Sequence, residues 1–175
     1  MIEEKLIIEY IKASTEGVFS TMLGLEVCSE SAFTDANAPA VSDGVLAIVG
    51  LAGSWTGAGV ISCSAAFACR ICNQLLMTES ASVNEEVLDA VGEVANMVVG
   101  NFKTMIEEHL GPLGLSIPTV IYGRNFTSRS LGTNHWIVLP FKCDGESVTI
   151  RCCLAQSKDP IAVRGGYSLS STLMA

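Results

Sequence analysis

Asp89, Glu93 and Asn96 are spaced D-x-x-x-E-x-x-N inside the run VLDAVGEVANMVVGNFKTMIEEHL, Val87 to Leu110. Glu93 and Asn96 lie three residues apart, so on a helix they project from one patch. A carboxylate beside a carboxamide can hold a cation and orient a water molecule. Neither side chain is a nucleophile, and no histidine lies close by in sequence to act as base. The pair is suited to act on something brought to it.

The surrounding pattern is helical. Glu86, Asp89, Glu93, Asn96, Lys103 and Glu107, with the small Gly100, recur at alternating steps of three and four, which forms one stripe. Val87, Leu88, Val91, Val94, Ala95, Val98, Val99, Phe102, Met105 and Ile106 cover the other side. Asn84 is placed to cap this helix, and Glu85 and Glu86 suit its positive end. Asn96 is an unfavourable mid-helix residue relative to alanine, set among Val94-Ala95 and Met97-Val98-Val99-Gly100. A polar residue intruding in so apolar a run is more informative than one on a charged helix. Asp89 is a weaker signal, since surface charge explains it equally well, and Lys103 with Glu107 at i+4 reads as an ordinary ion pair.

Other elements must hold that helix. An amphipathic helix is expected over residues 2–23, with Leu6, Ile7, Tyr10, Ile11, Val18, Phe19 and Met22 apolar and Gly24 placed to end it. Leu25 to Cys28 starts an extended segment. The Ser-, Ala-, Asp-, Asn- and Pro-rich stretch from Ser29 to Gly44 reads as a loop or exposed edge strand. The runs GVLAIVGL (44–51) and GAGVISCS (57–64), separated by AGSWT, form a hairpin pattern. A helix follows from about Ser64 to Met77. Three further strands are expected over 116–122, 135–143 and 147–154, with Asp144-Gly145 a tight turn between the last two. Residues 123–133 read as a polar surface loop. Residues 1–157 then form one domain, and 158–175 a tail, an added strand or a swapped arm. Two long amphipathic helices with short strand runs predict an α/β sandwich, of the α+β kind, in which the helices lie side by side over a mostly antiparallel sheet. Lys12 to Phe19 also aligns with Asp89 to Asn96, keeping Ala13/Ala90 and Glu16/Glu93. The alignment suggests a duplicated unit about a pseudo-twofold in which Phe19 stands where the second copy has Asn96.

Composition narrows the partners. The chain has 175 residues, 49% hydrophobic and 16% charged, which suits one well-packed domain. Eighteen acidic against ten basic residues give a net charge of -8 with no Lys/Arg cluster, which argues against nucleic acid. No apolar run is long enough to span a membrane. The start MIEEKLIIEYIK is acidic before its apolar part, the wrong order for a secretory signal, so a cytoplasmic location is expected.

Seven cysteines, an odd number at irregular spacings, argue against a disulfide framework. Cys69-Arg-Ile-Cys72 could bind metal or act in redox chemistry. It has no second CxxC, however, and His109 and His135 are distant, whereas structural zinc wants four ligands. Reduced and mostly buried filler is the plainer reading. Cys152 and Cys153, adjacent in a strand, point to opposite faces. Gly57-Ala58-Gly59 is not a nucleotide loop, because it lacks the third glycine and a following helix; hairpin glycines explain it.

These residues resemble the chemotaxis phosphatase family that includes CheC, CheX and FliY, and CheX most of all. The family signature is Asp or Ser, three residues, Glu, two residues, Asn, then a Pro just over twenty positions on. Here it reads Asp89, Glu93, Asn96 and Pro118, the last in LSIPTVIYG. DAVGEVANMVVGNFK, with Gly100, Asn101 and Lys103, is similar to CheX domains, as are the glycine-punctuated hairpin segment and YIKASTEGVFSTMLGLEV, where the second Glu/Asn pair of CheC is absent. The resemblance covers about residues 5–155. It implies a phosphatase for the aspartyl-phosphate of a CheY-like response regulator, forming homodimers through its sheets. Glu93 would hold a lysine of the regulator, and Asn96 would enter its active site and orient the attacking water. Asp89 and Gly100 would join the partner contact. Magnesium would come with the regulator, so no cofactor of this chain's own is expected. A non-catalytic module that docks on a response regulator is the second reading, and a metal- or redox-active cysteine protein the third.

Overall fold

A computed structural model describes residues 3–36, 43–124 and 135–157. The expected 123–133 loop falls mostly outside these residues, and the 158–175 segment lies wholly outside them. The elements, in chain order, are α1 (Glu4–Val18), a π-helical turn (Phe19–Leu23), β1 (Cys28–Ser29), β2 (Phe33–Asp35), β3 (Asp43–Gly53), β4 (Trp55–Cys63), α2 (Ala65–Leu76), α3 (Glu85–Leu110), β5 (Leu113–Leu115), β6 (Thr119–Arg124), β7 (Trp136–Cys143) and β8 (Glu146–Gln156).

Local signals place most of the boundaries. Gly24, at φ 63°, ends the first helical run in the left-handed conformation that glycine tolerates best. Ser64 caps α2 by accepting the Phe67 N–H, and Asn84 caps α3 by accepting the Val87 N–H at 2.9 Å. Asp144 and Gly145 both take positive φ between β7 and β8, the geometry of a two-residue hairpin turn.

Every strand pair among the described residues is antiparallel, in the order β1-β7-β8-β4-β3-β5, with β2 also on β7 and β6 also on β3. The order is symmetric about the β4–β8 pair. The two short strands after α1 pair with the second long hairpin, and the two after α3 pair with the first. This exchange is the pseudo-twofold suggested by the aligned helices. Phe19, at the position matching Asn96, is wholly buried and stacks against Phe67 at 6.3 Å. That half of the duplication serves the core.

The helices cover one sheet face. Val45, Ala47, Val49, Leu51, Ile61, Ile137, Leu139, Phe141 and Ile150 meet Ile11, Phe19, Phe67, Val91, Val94, Val98 and Phe102 in one core. The opposite face carries a smaller cluster of Leu46, Val60, Trp136 and Val138. Cys152 joins the first cluster and Cys153 the edge of the second, as strand alternation requires. Gly57, Ala58 and Gly59 lie within β4. A Cβ at Gly59 would stand 2.5 Å from Cγ2 of Val99, so this glycine lets α3 rest directly on the sheet.

One expectation needs correction. The strand expected over 116–122 starts only at Thr119, as β6, and a separate short strand, β5, precedes it at Leu113–Leu115; the chain breaks between them at Ser116–Pro118, where Pro118 has no N–H to donate. The cysteines are all free and mostly buried, as expected: five are buried, Cys153 is half-buried and Cys28 is exposed.

Candidate functional site

Asp89, Glu93, Asn96 and Gly100 lie along one stripe of α3, where the sequence places them. Asp89 and Glu93 are exposed, while Asn96 and Gly100 are half-buried. Val91, Val94, Ala95, Val98 and Val99 hold the opposite side of α3 fully in the core, so the stripe cannot rotate without unpacking the helix. The side chains of Asp89, Glu93 and Asn96 make no hydrogen bond or ion pair with the described residues. The carboxylate and the carboxamide are presented outward with their bonding capacity unused.

The segment carrying Pro118 runs beside this stripe. A Cβ at Gly92 would stand 3.6 Å from Cβ of Pro118 and 3.1 Å from Cγ2 of Val120, and one at Gly100 would stand 3.7 Å from Cδ1 of Leu115. Between these two anchors Ser116 and Ile117 pass at the level of Asn96. Ser116 fixes the segment to β3: its N–H bonds the Gly50 carbonyl at 2.9 Å, and its hydroxyl accepts the Gly50 N–H at 2.8 Å. The same hydroxyl donates to the Ile117 carbonyl at 2.8 Å.

The far end of α3 is fastened as well. Glu107 accepts from Lys103 Nζ at 2.8 Å, the expected i+4 pair, and from the Leu113 N–H at 2.6 Å. Partial burial alone would raise its pKa; the Leu113 N–H and Lys103 outweigh that and hold it below the usual carboxylate range. The bond ties the helix end to β5, and so to the Pro118 segment.

On the other side, an open groove of about 850 Å³ lies between α2 and the start of α3, lined by Leu75, Leu76, Asn84, Glu85, Glu86, Asp89, Ala90 and Glu93. Glu93 thus stands at the edge of an acidic groove with an apolar floor. Sequence reading missed the groove, because helical spacing orders residues within α3 and not across to α2. It also missed Ile117, 86% exposed immediately before Pro118.

Among the described residues no group of three or more His, Cys, Asp or Glu side chains converges on a metal position. No described helix is long and apolar enough to cross a membrane. Cys69 and Cys72 are both buried and free, and lie on α2 within the core.

A palindromic antiparallel sheet, with two long helices on one face and an outward Glu/Asn pair on the second of them, defines an α+β sandwich of duplicated halves. The chain belongs to the family described as chemotaxis phosphatase CheX, whose sequence profile matches residues 45–142 and so includes Glu93, Asn96 and Pro118. None of the curated proteins matches it in sequence. Among solved structures, the chemotaxis protein CheX of Desulfovibrio desulfuricans is 25% identical with a TM-score of 0.76, over 86% of this chain and 99% of that one. CheX of Vibrio vulnificus is 26% identical with a TM-score of 0.74, over the same shares. The CheX–CheY–BeF3–Mg2+ complex of Borrelia burgdorferi gives a chain 24% identical with a TM-score of 0.73, covering 85% of this chain and 97% of that one; at that identity it shows a shared fold.

Proposed function

We propose that the protein hydrolyses the aspartyl-phosphate of a CheY-like response regulator by presenting Glu93 and Asn96 to the regulator's active site. The observation that carries this reading is the outward pair on a core-locked helix, flanked by the Pro118 segment at the family's spacing. The family described as a chemotaxis phosphatase, and a solved relative in complex with CheY, BeF3 and Mg2+, support the choice of partner.

The chemistry suits the residues. Phosphoryl transfer depends mainly on positioning and on neutralising charge over the phosphoryl oxygens. The regulator's metal supplies that charge, so this chain needs no cofactor of its own. Asn96 can both accept from and donate to its neighbours, which fixes a water in line with the scissile P–O bond. A carboxylate there would add negative charge beside the phosphoryl group. Glu93 holds a regulator lysine and sets the helix in register, with Asp89 and Gly100 completing the contact. The water oxygen bonds to phosphorus, the aspartyl oxygen leaves with the electron pair, and inorganic phosphate departs with the water's protons shared between it and the solvent.

A cytoplasmic location and a homodimer joined through the sheet go with this reading. A monomer mass by light scattering at micromolar concentration would remove the dimer. The test of function is phosphate release from a phosphorylated CheY-type receiver domain at substoichiometric amounts of this protein. Turnover supports the enzyme. Binding without turnover replaces it with a docking module.

A further inference from the structure

We propose that Leu115, Ile117 and Tyr122 form an apolar docking ridge beside the Glu93/Asn96 stripe, with Ile117 as the residue that seats in the receiver domain next to its phosphoryl site. This rests on the proposed function and adds the part of the surface that neither the motif nor the helix supplies. The three side chains are 37%, 86% and 43% exposed, respectively. Register puts Leu115 opposite Leu51 and Tyr122 opposite Val45, two residues of the helix-side core, so both lie on the sheet face that carries α3. Ile117 sits between them, level with Asn96, because Leu115 meets Gly100 and Pro118 meets Gly92.

The height difference carries the inference. Asn96 is half-buried in the helix surface, whereas Ile117 protrudes into solvent at the same level. A partner that lets Asn96 reach an atom in its active site must come down over Ile117. The contact is therefore made whether or not it is favourable, and an isoleucine makes it favourable by leaving water. The ridge is also prepared in advance. Ser116 bonds Gly50 in both directions and the Ile117 carbonyl besides, and Pro118 restricts the backbone of the residue before it. Little motion is lost when a partner covers such a residue, so more of its burial is realised as affinity. The flank across the helix sets the carboxylates of Glu85, Glu86, Asp89 and Glu93 around an apolar floor of Leu75, Leu76 and Ala90. The occupant is thus the receiver domain itself, turned so that an apolar surface meets the ridge and its cationic residues meet Glu93 and the groove.

The experiment compares the unsubstituted protein with Ile117→Ser, Ile117→Leu and Asn96→Ala. It measures steady-state hydrolysis of a phosphorylated CheY-type receiver domain and the Kd for the same domain loaded with beryllofluoride and Mg2+. Ile117→Ser should raise KM and Kd about thirtyfold, the lower end expected on truncating a hot-spot side chain, with kcat within about twofold. Ile117→Leu should restore both, and the melting temperatures should agree, since the residue touches solvent rather than core. If Asn96→Ala lowers kcat while Ile117→Ser leaves KM and Kd unchanged, the ridge is overturned and the catalytic reading stands. If the protein binds the loaded domain through Ile117 but releases no phosphate, the ridge stands and the catalytic reading falls. If the protein neither binds nor hydrolyses, both fall.

Discussion

Pro118 lies against Gly92, one residue before Glu93, where an added Cβ would come within 3.6 Å of the proline and 3.1 Å of Val120. The two ends of the family signature, far apart in sequence, are thus neighbours in space, and the glycine between them is what lets strand and helix close. Gly92→Val should force β6 away from α3. Overpacking of this kind costs about 1–3 kcal/mol, which for a chain of this size lowers Tm by about 2–4 °C for each kcal/mol. Thermal unfolding followed by circular dichroism checks it, and an unchanged Tm would mean that the segment yields freely.

Asn96→Ala should remove most hydrolysis while leaving binding and folding nearly intact. Losing one positioned hydrogen-bonding group costs about 3 kcal/mol, or roughly a hundredfold in rate. Stability should hold or improve slightly, since alanine is the better helix former and the Asn96 side chain makes no hydrogen bond to the described residues. Single-turnover dephosphorylation, beside a melting curve, separates the two effects; a rate equal to that of the unsubstituted protein would remove the catalytic assignment.

Glu93→Ala should behave differently, raising KM and Kd more than it lowers kcat. A desolvated charge pair across an interface is worth about 2–5 kcal/mol when one partner is truncated. Added salt should weaken the parent complex, and do so less in the variant. A purely catalytic loss at unchanged affinity would contradict the anchoring role.

Gly59→Ala should destabilise the fold by about 1–3 kcal/mol, because its Cβ would press on Val99 and a β-branched side chain in a helix has few rotamers to retreat to. Val99→Ala in the same chain should recover part of the loss. Urea midpoints of the four species give the coupling, and strict additivity would show that the contact does not govern how α3 seats on the sheet.

Burial pushes the Cys63 thiol up to about 12, with Glu146 and Cys69 adding to the rise, against an ordinary value of 9.0. Below pH 9 both folded and unfolded chains keep the proton, so the stabilising effect is fully present. Between about pH 9 and 12 the unfolded chain loses the proton while the folded one keeps it, and stability falls by an amount on the order of 4 kcal/mol at most. Cys63→Ala should flatten that alkaline decline, seen as a smaller shift of urea midpoint between pH 8 and 10.5. In native protein at pH 8, Cys28 should be the thiol alkylated fastest, being the exposed one.

Helix spacing, caps and turn residues were enough to find α3, its Asn84 cap, the Ser64–Met77 helix and the Asp144-Gly145 turn, because each depends on atoms only a few residues apart. The same local pattern put Glu93 and Asn96 on one outward stripe. What it could not supply was anything that depends on pairing across the chain. The break between β5 and β6 follows from Ser116 finding Gly50, and the closeness of Pro118 to Gly92 from β6 joining β3 rather than its sequence neighbours. Cys28 read as filler because its run is apolar, yet it lies on a two-residue strand beside β7 and is exposed there. Ile117 is a plain isoleucine in sequence. Only the sheet register and the anchored Ser116 turn it outward beside Asn96, because exposure is set by which surfaces the whole fold has already covered.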